Sequence, residues 1–432
     1  MVDASSIAPP KPMQRVLQQR NFVLLWAGQS TSLLGDQFYL VAAPWLVLKI
    51  TGDPLALGTV LAAGAIPRAA MMLIGGAVSD RFSARKIMLA SDLIRLVLIL
   101  GLLFLVFSGL IQLWMLYFLS VLFGIVSGFF IPASNSIIPG ILPGEDLQAG
   151  NSIFQGSSQL VSFIGPALAG VVIGSFAGEM RGIATAFGID ALTFVVSIAT
   201  LWFMQYENTH LVEQKSEKVW DSIKTGVRHA WKDDSLKLGF LLIAFANLFF
   251  AGPVLIGIPV LADQRLAEGA TAYGLILSAF AGGGFLGVIL CGALPALSAK
   301  MLKYVLVGFF TIFGLGLAGL GLITATWMGC ALMFVLGAAN GYMSIILITG
   351  IQRRTPKELM GRLMSLVLLA NLGLIPISQT LAGALSRWNL TGLLVLSGAC
   401  MLILTGWLIF QPGLSQMAAS FSAQSVPSSP PE

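Results

Sequence analysis

The sequence specifies an all-α integral membrane protein, with twelve transmembrane helices in two pseudo-symmetric six-helix bundles. Three observations point there. The chain has 432 residues, of which 56% are apolar and only 10% charged; a soluble domain carries about a quarter charged residues. Its apolar residues gather in long runs, each near the roughly 20 residues that one span requires. An ungapped shift also superposes part of the first half on the second.

The candidate spans cover residues 22–48, 54–78, 86–107, 112–138, 147–176, 182–204, 236–262, 271–293, 303–324, 327–349, 363–384 and 389–411. Lipid offers backbone amides no partner, so these runs must satisfy their own and become helices. The alternating pattern of a membrane barrel is absent. The net charge of +5 is spread by topology and does not indicate nucleic acid. With the N-terminus in the cytoplasm, 18 of the 24 Lys and Arg lie on that side and four lie outside. The basic bias therefore places both termini inside. No cleavable signal peptide is visible, because the first twenty residues are polar. The expected location is the plasma membrane, the inner membrane in a bacterium. The expected state is a monomer.

In order along the chain, residues 1–20 form a cytoplasmic segment in which Met13–Arg20 suggests a short interfacial helix. Residues 21–205 hold the first bundle. Its first span carries Gln29, Ser32 and Asp36 at i, i+3 and i+7, which share one helical face. Gly52-Asp53-Pro54 is a turn. The second span carries Arg68 and runs into a polar hairpin, Gly75 to Lys86, in which Arg81, Arg85 and Lys86 hold the cytoplasmic side. Asp80 is suited to a helix N-terminus, where an anion is favoured. In the third span Asp92 and Arg95, three apart, can pair. The fourth contains Gly124-x-x-x-Gly128, a close-packing pattern. The fifth carries a polar stripe with Gln155 and Gln159, and then Pro166, which should kink it. The sixth contains Asp190.

Residues 206–235 form a cytoplasmic connector. Trp220, Ile223, Val227 and Trp231 recur at helical spacing there, as in an amphipathic helix lying on the membrane. His210 and His229 both fall in it and read as solvated. Residues 236–411 hold the second bundle, whose polar intramembrane residues are amides: Asn247, Asn340, Asn371 and Gln379. Gly252-Pro253 should bend the seventh span. Residues 412–432 read as a disordered cytoplasmic tail. Cys291, Cys330 and Cys400 have no second Cys or His at ligand spacing and read as small buried hydrophobes; no metal or cofactor is expected.

The repeat has an offset of 213 residues. It places Gly124 and Gly128 on Gly337 and Gly341, Pro143 and Glu145 on Pro356 and Glu358, and Leu168-Ala169-Gly170 on Leu381-Ala382-Gly383. Glycines and a loop Pro-x-Glu that keep register over three elements imply two related halves, as in carriers with parallel repeats.

Gly76-x-x-x-Asp80-Arg81 followed by Arg85-Lys86 resembles the helix 2–3 signature of the major facilitator superfamily. Asn21-Phe22-x-Leu24-Leu25-Trp26-x-Gly28, Leu34-Gly35-Asp36, Ile66-Pro67-Arg68, Pro132-Ala133 and Gln352-Arg353-Arg354-Thr355-Pro356 resemble its twelve-helix efflux branch, which contains enterobactin exporters and macrolide efflux proteins. Gly165-Pro166-x-x-Ala169-Gly170, preceded by Gly156, is similar to the antiporter signature of exporters. The resemblance implies a carrier that alternates between inward- and outward-open states, binds its substrate between the halves and exports it against a proton gradient. It implies that Asp80 and Arg81 belong to an inside gate.

The reading that follows is a proton-coupled exporter of amphipathic or hydrophobic small molecules, such as drugs or siderophores. Its expected partners are the bilayer, the substrate and protons. The alternatives are an importer or lipid flippase on the same scaffold and, in another class, an integral-membrane enzyme. An enzyme would need clustered His, Asp or Cys near one membrane face, which the sequence lacks. No Gly-x-x-x-x-Gly-Lys loop supports an ATP-driven pump. An ionisable residue deep in a span is a functional candidate by default. Counting about 1.5 Å per residue puts Asp36 roughly 22 Å from Asn21 and Arg68 roughly 16 Å from Ser79, depths that would allow the two to pair. The expected proton-coupling residues are therefore Asp36, with Arg68 beside it, and then Asp92 and Asp190.

Overall fold

The computed structural model describes residues 12–205, 231, 233–295, 297–355, 363, 367 and 370–421. A short helix, α1 (Pro12–Gln18), precedes the first half. That half is built from α2 (Arg20–Thr51), α3 (Pro54–Arg81), α4 (Ala84–Phe107), α5 (Leu113–Ile141), α6 (Leu147–Gly174) and α7 (Glu179–Phe203). The second half contains α8 (Asp234–Ala246), a π turn at Asn247–Ala251, α9 (Gly252–Arg265), α10 (Ala270–Ala293), α11 (Ala299–Leu320), α12 (Thr326–Arg354), α13 (Ile375–Trp388) and α14 (Leu390–Ile409). A last helix, α15, covers Pro412–Phe421. Among the described residues 11 helices are long and apolar enough to cross a membrane, with α8, the π turn and α9 forming one of them. The expected span 363–384 includes residues outside this set, and α13 is its described C-terminal part. The connector, with His210 and His229, also lies outside it.

Local chemistry marks the helix ends. Gly52 closes α2 in the left-handed region (φ 61°) with its N–H on the Leu48 carbonyl, a conformation that glycine adopts without steric cost. Asp53 then caps α3 by accepting from the Leu55 N–H at 2.9 Å, with Pro54 in the first turn. At the other end of the molecule Arg85 donates to the carbonyls of Leu201 and Trp202, both at 2.7 Å. It thereby satisfies the last turn of α7.

The two halves repeat the same packing. α3 lies on α5 and α4 on α7 in the first; α10 lies on α12 and α11 on α14 in the second. The halves meet where α6 packs on α10 and α3 on α13. The glycines of the sequence repeat sit at equivalent crossings. A Cβ at Gly124 would run into the Gly64 carbonyl, and one at Gly337 into Phe280 and Gly284. A Cβ at Gly170 would lie 3.0 Å from the Gly274 Cα, and one at Gly383 3.3 Å from the Gly58 Cα. The repeat is therefore a record of backbone contact: the first pair lets helices approach within each half, the second lets the halves touch.

Two features differ from the expectation. The polar hairpin is much shorter than Gly75–Lys86, because α3 continues through Arg81 and α4 starts at Ala84. Asp80 thus lies in the last turn of a helix and not at an N-terminus, and the side chains of Asp80 and Arg81 are outside the described set. The first part of the tail is ordered: Leu414, Met417 and Ala418 give α15 a buried face against α8 and α11, a pattern hidden by the Ser- and Ala-rich composition around it. Helix α6 runs through Pro166 without a break. The N–H of Ala167, displaced beside the proline, is taken by the Ser278 hydroxyl of α10 at 2.8 Å.

Candidate functional site

The contacts between halves gather at the end of the molecule opposite α1 and α15. Lys49 bridges Glu179 of its own half at 3.0 Å and Asp263 of the other at 2.7 Å. Arg387 reaches Asp53 at 3.7 Å. Just inside these pairs Trp45 stacks on Tyr273, and the Tyr273 hydroxyl donates to the Leu40 carbonyl at 3.4 Å. The glycine crossings Gly170–Gly274 and Gly58–Gly383 lie at the same end. Together they seal it.

Below the seal is a cavity of about 680 Å³, lined from the first half by Gln29, Ser32, Asp36, Tyr39, Arg68, Arg95 and Asp190, among others, and from the second by Leu255, Tyr273 and Gln379. Its walls extend to Ser134, Asn135, Phe154 and Ser158, toward the end that carries α1. The aromatic part includes Tyr39 and Phe123, whose ring centroids are 4.8 Å apart.

Close helix packing sets the charged part. α2 crosses α7 at Gly28 and Gly35. A Cβ at Gly35 would collide with Asp190 and Thr193, so the glycine leaves room for the Asp190 carboxyl beside Asp36. Asp190 is 1% exposed and neither of its carboxylate oxygens has a hydrogen-bond partner. On α4, Asp92 accepts from the Ser197 hydroxyl at 2.6 Å and lies 3.8 Å from Arg95. Arg95 donates to Ser127 at 3.2 Å and covers the Phe130 ring at 4.2 Å. Its guanidinium is the positive charge that acts on Asp36, Asp92 and Asp190 alike. Three carboxyl groups thus share one buried guanidinium. In a medium where charges are expensive to hold unpaired, this cluster carries more acid than base.

Several of the expected site residues come together here. Gln29, Ser32, Asp36, Arg68, Asp190 and Gln379 all line the cavity. The Asp92–Arg95 pair forms, but Asp92 lies behind the wall. The expected Asp36–Arg68 pairing is not found: both residues line the cavity, but no ion pair joins them among the described residues. Gln155, Gln159, Asn247, Asn340 and Asn371 are not part of the wall. Asn247 donates instead to Asn371 at 3.3 Å and to the Ile243 carbonyl at 3.0 Å. Gly156 and Gly76 have open space where a Cβ would go, whereas Gly165 is pressed against Gln37. Sequence reasoning passed over Arg95 as a cavity residue, although its position inside an apolar run was the available signal. It also missed Tyr39 and Tyr273, whose rings look like ordinary membrane aromatics.

Two helical halves around a central cavity, sealed at one end by contacts between them, have the architecture of a multi-pass membrane transporter of small molecules. Residues 25–378 match the profile of the Major Facilitator Superfamily, and the chain belongs to that family. It is 26% identical to the uncharacterized MFS-type transporter YfiS of Bacillus subtilis, over 92% of this chain and 93% of that protein. It is 27% identical to the multidrug efflux pump Tap of Mycolicibacterium fortuitum, over 60% of this chain and 63% of that one. The fold is similar to that of a point mutant of the peptide transporter POT, with a TM-score of 0.72, 14% identity, and coverage of 95% of this chain and 100% of that one.

Proposed function

We propose that the protein is a proton-coupled exporter of amphipathic or hydrophobic small molecules, working by alternating access in the plasma membrane with both termini cytoplasmic. The observation that carries this reading is the under-compensated carboxyl cluster on the wall of the cavity. A carrier that moves such a group between wet and dry surroundings can take up a proton on one side and release it on the other. Asp36 is the coupling residue of this proposal, because it is the carboxyl that both belongs to the cluster and is only half-buried. The antiporter-like segment Gly165-Pro166-x-x-Ala169-Gly170 supports export, since it forms the α6 side of the seal. The names of the efflux relatives support drugs, and do not extend to siderophores. Under this reading Asp80 and Arg81 belong to the gate at the end carrying α1, which closes when the sealed end opens.

The test is transport of a compound panel into inverted membrane vesicles, with and without a proton gradient. Gradient-dependent accumulation is expected, and Asp36→Asn should abolish it while substrate still binds and binding loses its pH dependence. Accumulation that ignores the gradient would sink the reading; full gradient-driven export by Asp36→Asn would move the proton site elsewhere.

A further inference from the structure

The first span of each half crosses the fifth, and the two crossings are built in opposite ways. The 213-residue offset places Gly165 of α6 on Ser378 of α13. In the first half the glycine is on α6, and a Cβ there would lie 2.6 Å from the Gln37 Cβ of α2. In the second the glycine is Gly252 of α9, where a Cβ would collide with the backbone and hydroxyl of Ser378. α2 passes its crossing as continuous α-helix. The seventh span opens there into the π turn Asn247–Ala251.

The hydroxyl accounts for the difference. In an α-helix the Gly252 N–H would donate to the Leu248 carbonyl, four residues back. Here Ser378 bridges the two, accepting from the N–H at 2.8 Å and donating to the carbonyl at 2.5 Å. Pro253 has no N–H to offer the Phe249 carbonyl, so the ladder is already one bond short. A π turn holds an extra residue, which rotates the helix before it by about 100°. α9 is buried along most of its length and packs against α10, α13 and α14, so that rotation falls on α8. In the observed register Asn247 donates to Asn371, and Phe245, 36% exposed, stacks on Phe249 with ring centroids 6.1 Å apart. In an unbroken helix Leu248 would stand against Asn371, and Ala246 would take the place of Phe245.

We propose that Ser378 is a positioning residue for transport: its hydroxyl holds the π turn, and the turn sets which side chains of α8 continue the passage beyond Leu255 on the cavity wall. Ser378 itself is 1% exposed, so it shapes selectivity without touching substrate. This goes beyond the exporter reading and depends on neither the direction of transport nor its coupling.

Cross-linking reads the register directly and needs neither substrate nor gradient, so its result is separate from that of the exporter reading. In the full chain Cys291, Cys330 and Cys400 are replaced by alanine, and Asn371→Cys is paired with either Asn247→Cys or Leu248→Cys. The purified protein is oxidised in detergent with copper phenanthroline and its peptides are read by mass spectrometry. With Ser378 present the 247–371 disulfide is expected to form at least fivefold faster than the 248–371 disulfide. Ser378→Ala and Ser378→Gly should each reverse that order, whereas a general loosening would change both rates alike. In vesicles the same two substitutions, made in the otherwise unaltered chain, should reorder the transport rates among the panel compounds; a merely structural defect would lower them in common. The proposal falls if 247–371 remains the faster pair in both variants, or if the order reverses while the compounds keep their ranking. It falls equally if neither variant elutes from gel filtration as the unaltered protein does, which would make Ser378 a folding residue.

Discussion

Arg95 is the residue on which the first half depends. It is 4% exposed and is the shared counter-charge of three carboxyls. Removing one partner of a buried ion pair typically costs about 3–5 kcal/mol, because the remaining charge is left without compensation. Arg95→Leu is therefore expected to lower the detergent melting temperature clearly more than Asp92→Asn, which keeps the shape of the side chain and removes one negative charge from a crowded site. Equal losses in the two variants, read by thermal unfolding, would show that Arg95 is mainly a packing residue. At this scale the sequence was legible only in part. The i, i+3 spacing announced the Asp92–Arg95 pair, and the i, i+3, i+7 spacing put Gln29, Ser32 and Asp36 on one wall. Which guanidinium meets Asp36 depends on how α2, α4 and α7 are rotated about their axes, and no spacing within one helix encodes that.

Between elements, small residues set the geometry. The Gly170–Gly274 and Gly58–Gly383 crossings bring backbones together where any side chain would hold them apart. Gly170→Val is expected to wedge α6 from α10 and shift the population toward opening of the sealed end, without unfolding either half. Labels at Gly178 and Leu266 should then give a longer mean distance by pulsed electron resonance, and Gly383→Val should do the same across α3 and α13. An unchanged distance in both variants would mean that the side chains around Tyr273 alone maintain closure. The repeat was readable from the sequence because glycines keep register over 213 residues; the partners of Gly170 and Gly383 were not, since Gly58 and Gly274 stand in no matching motif. Composition likewise concealed α15, whose buried face consists of a few residues in a polar, small-residue tail. The bend expected at Gly252-Pro253 falls beside the π turn Asn247–Ala251. There the Ser378 hydroxyl donates to the Leu248 carbonyl and accepts from the Gly252 N–H, at 2.5 and 2.8 Å, so α13 repairs the irregular ladder of its neighbour.

For the whole molecule, the ionic contacts at the sealed end set how the halves are poised. Lys49 touches acids of both halves, and its attraction to Asp263 is the part lost on opening. Lys49→Gln, combined with Arg387→Gln, is expected to favour the open arrangement by a few-fold, a modest effect because pairs near water contribute about 0–1 kcal/mol each. Accessibility of a cysteine placed at Ala43 to an external thiol reagent would measure it, and no change would assign closure to the apolar contacts. Orientation is checked separately: a reporter fused after Gln411 should be cytoplasmic and one inserted near Asp53 external. The expectation of many spans came from hydrophobic length, that of two halves from the repeat, and the expected orientation from the basic bias. The cavity does not follow from them, because it is the space left over after helices from both halves have packed.

The position of the glycine crossings has a mechanical consequence. They lie near one end of α6, so the rest of that helix is a long lever arm. From Gly170 to Leu147 it spans about 34 Å, and a swing of roughly 10° about the crossing would move its far end by about 6 Å, the breadth of an aromatic ring. While that end stays sealed, the mouth at the other end can therefore widen or narrow with the fulcrum scarcely moving, and each half can swing as a rigid body with its own side-chain packing intact.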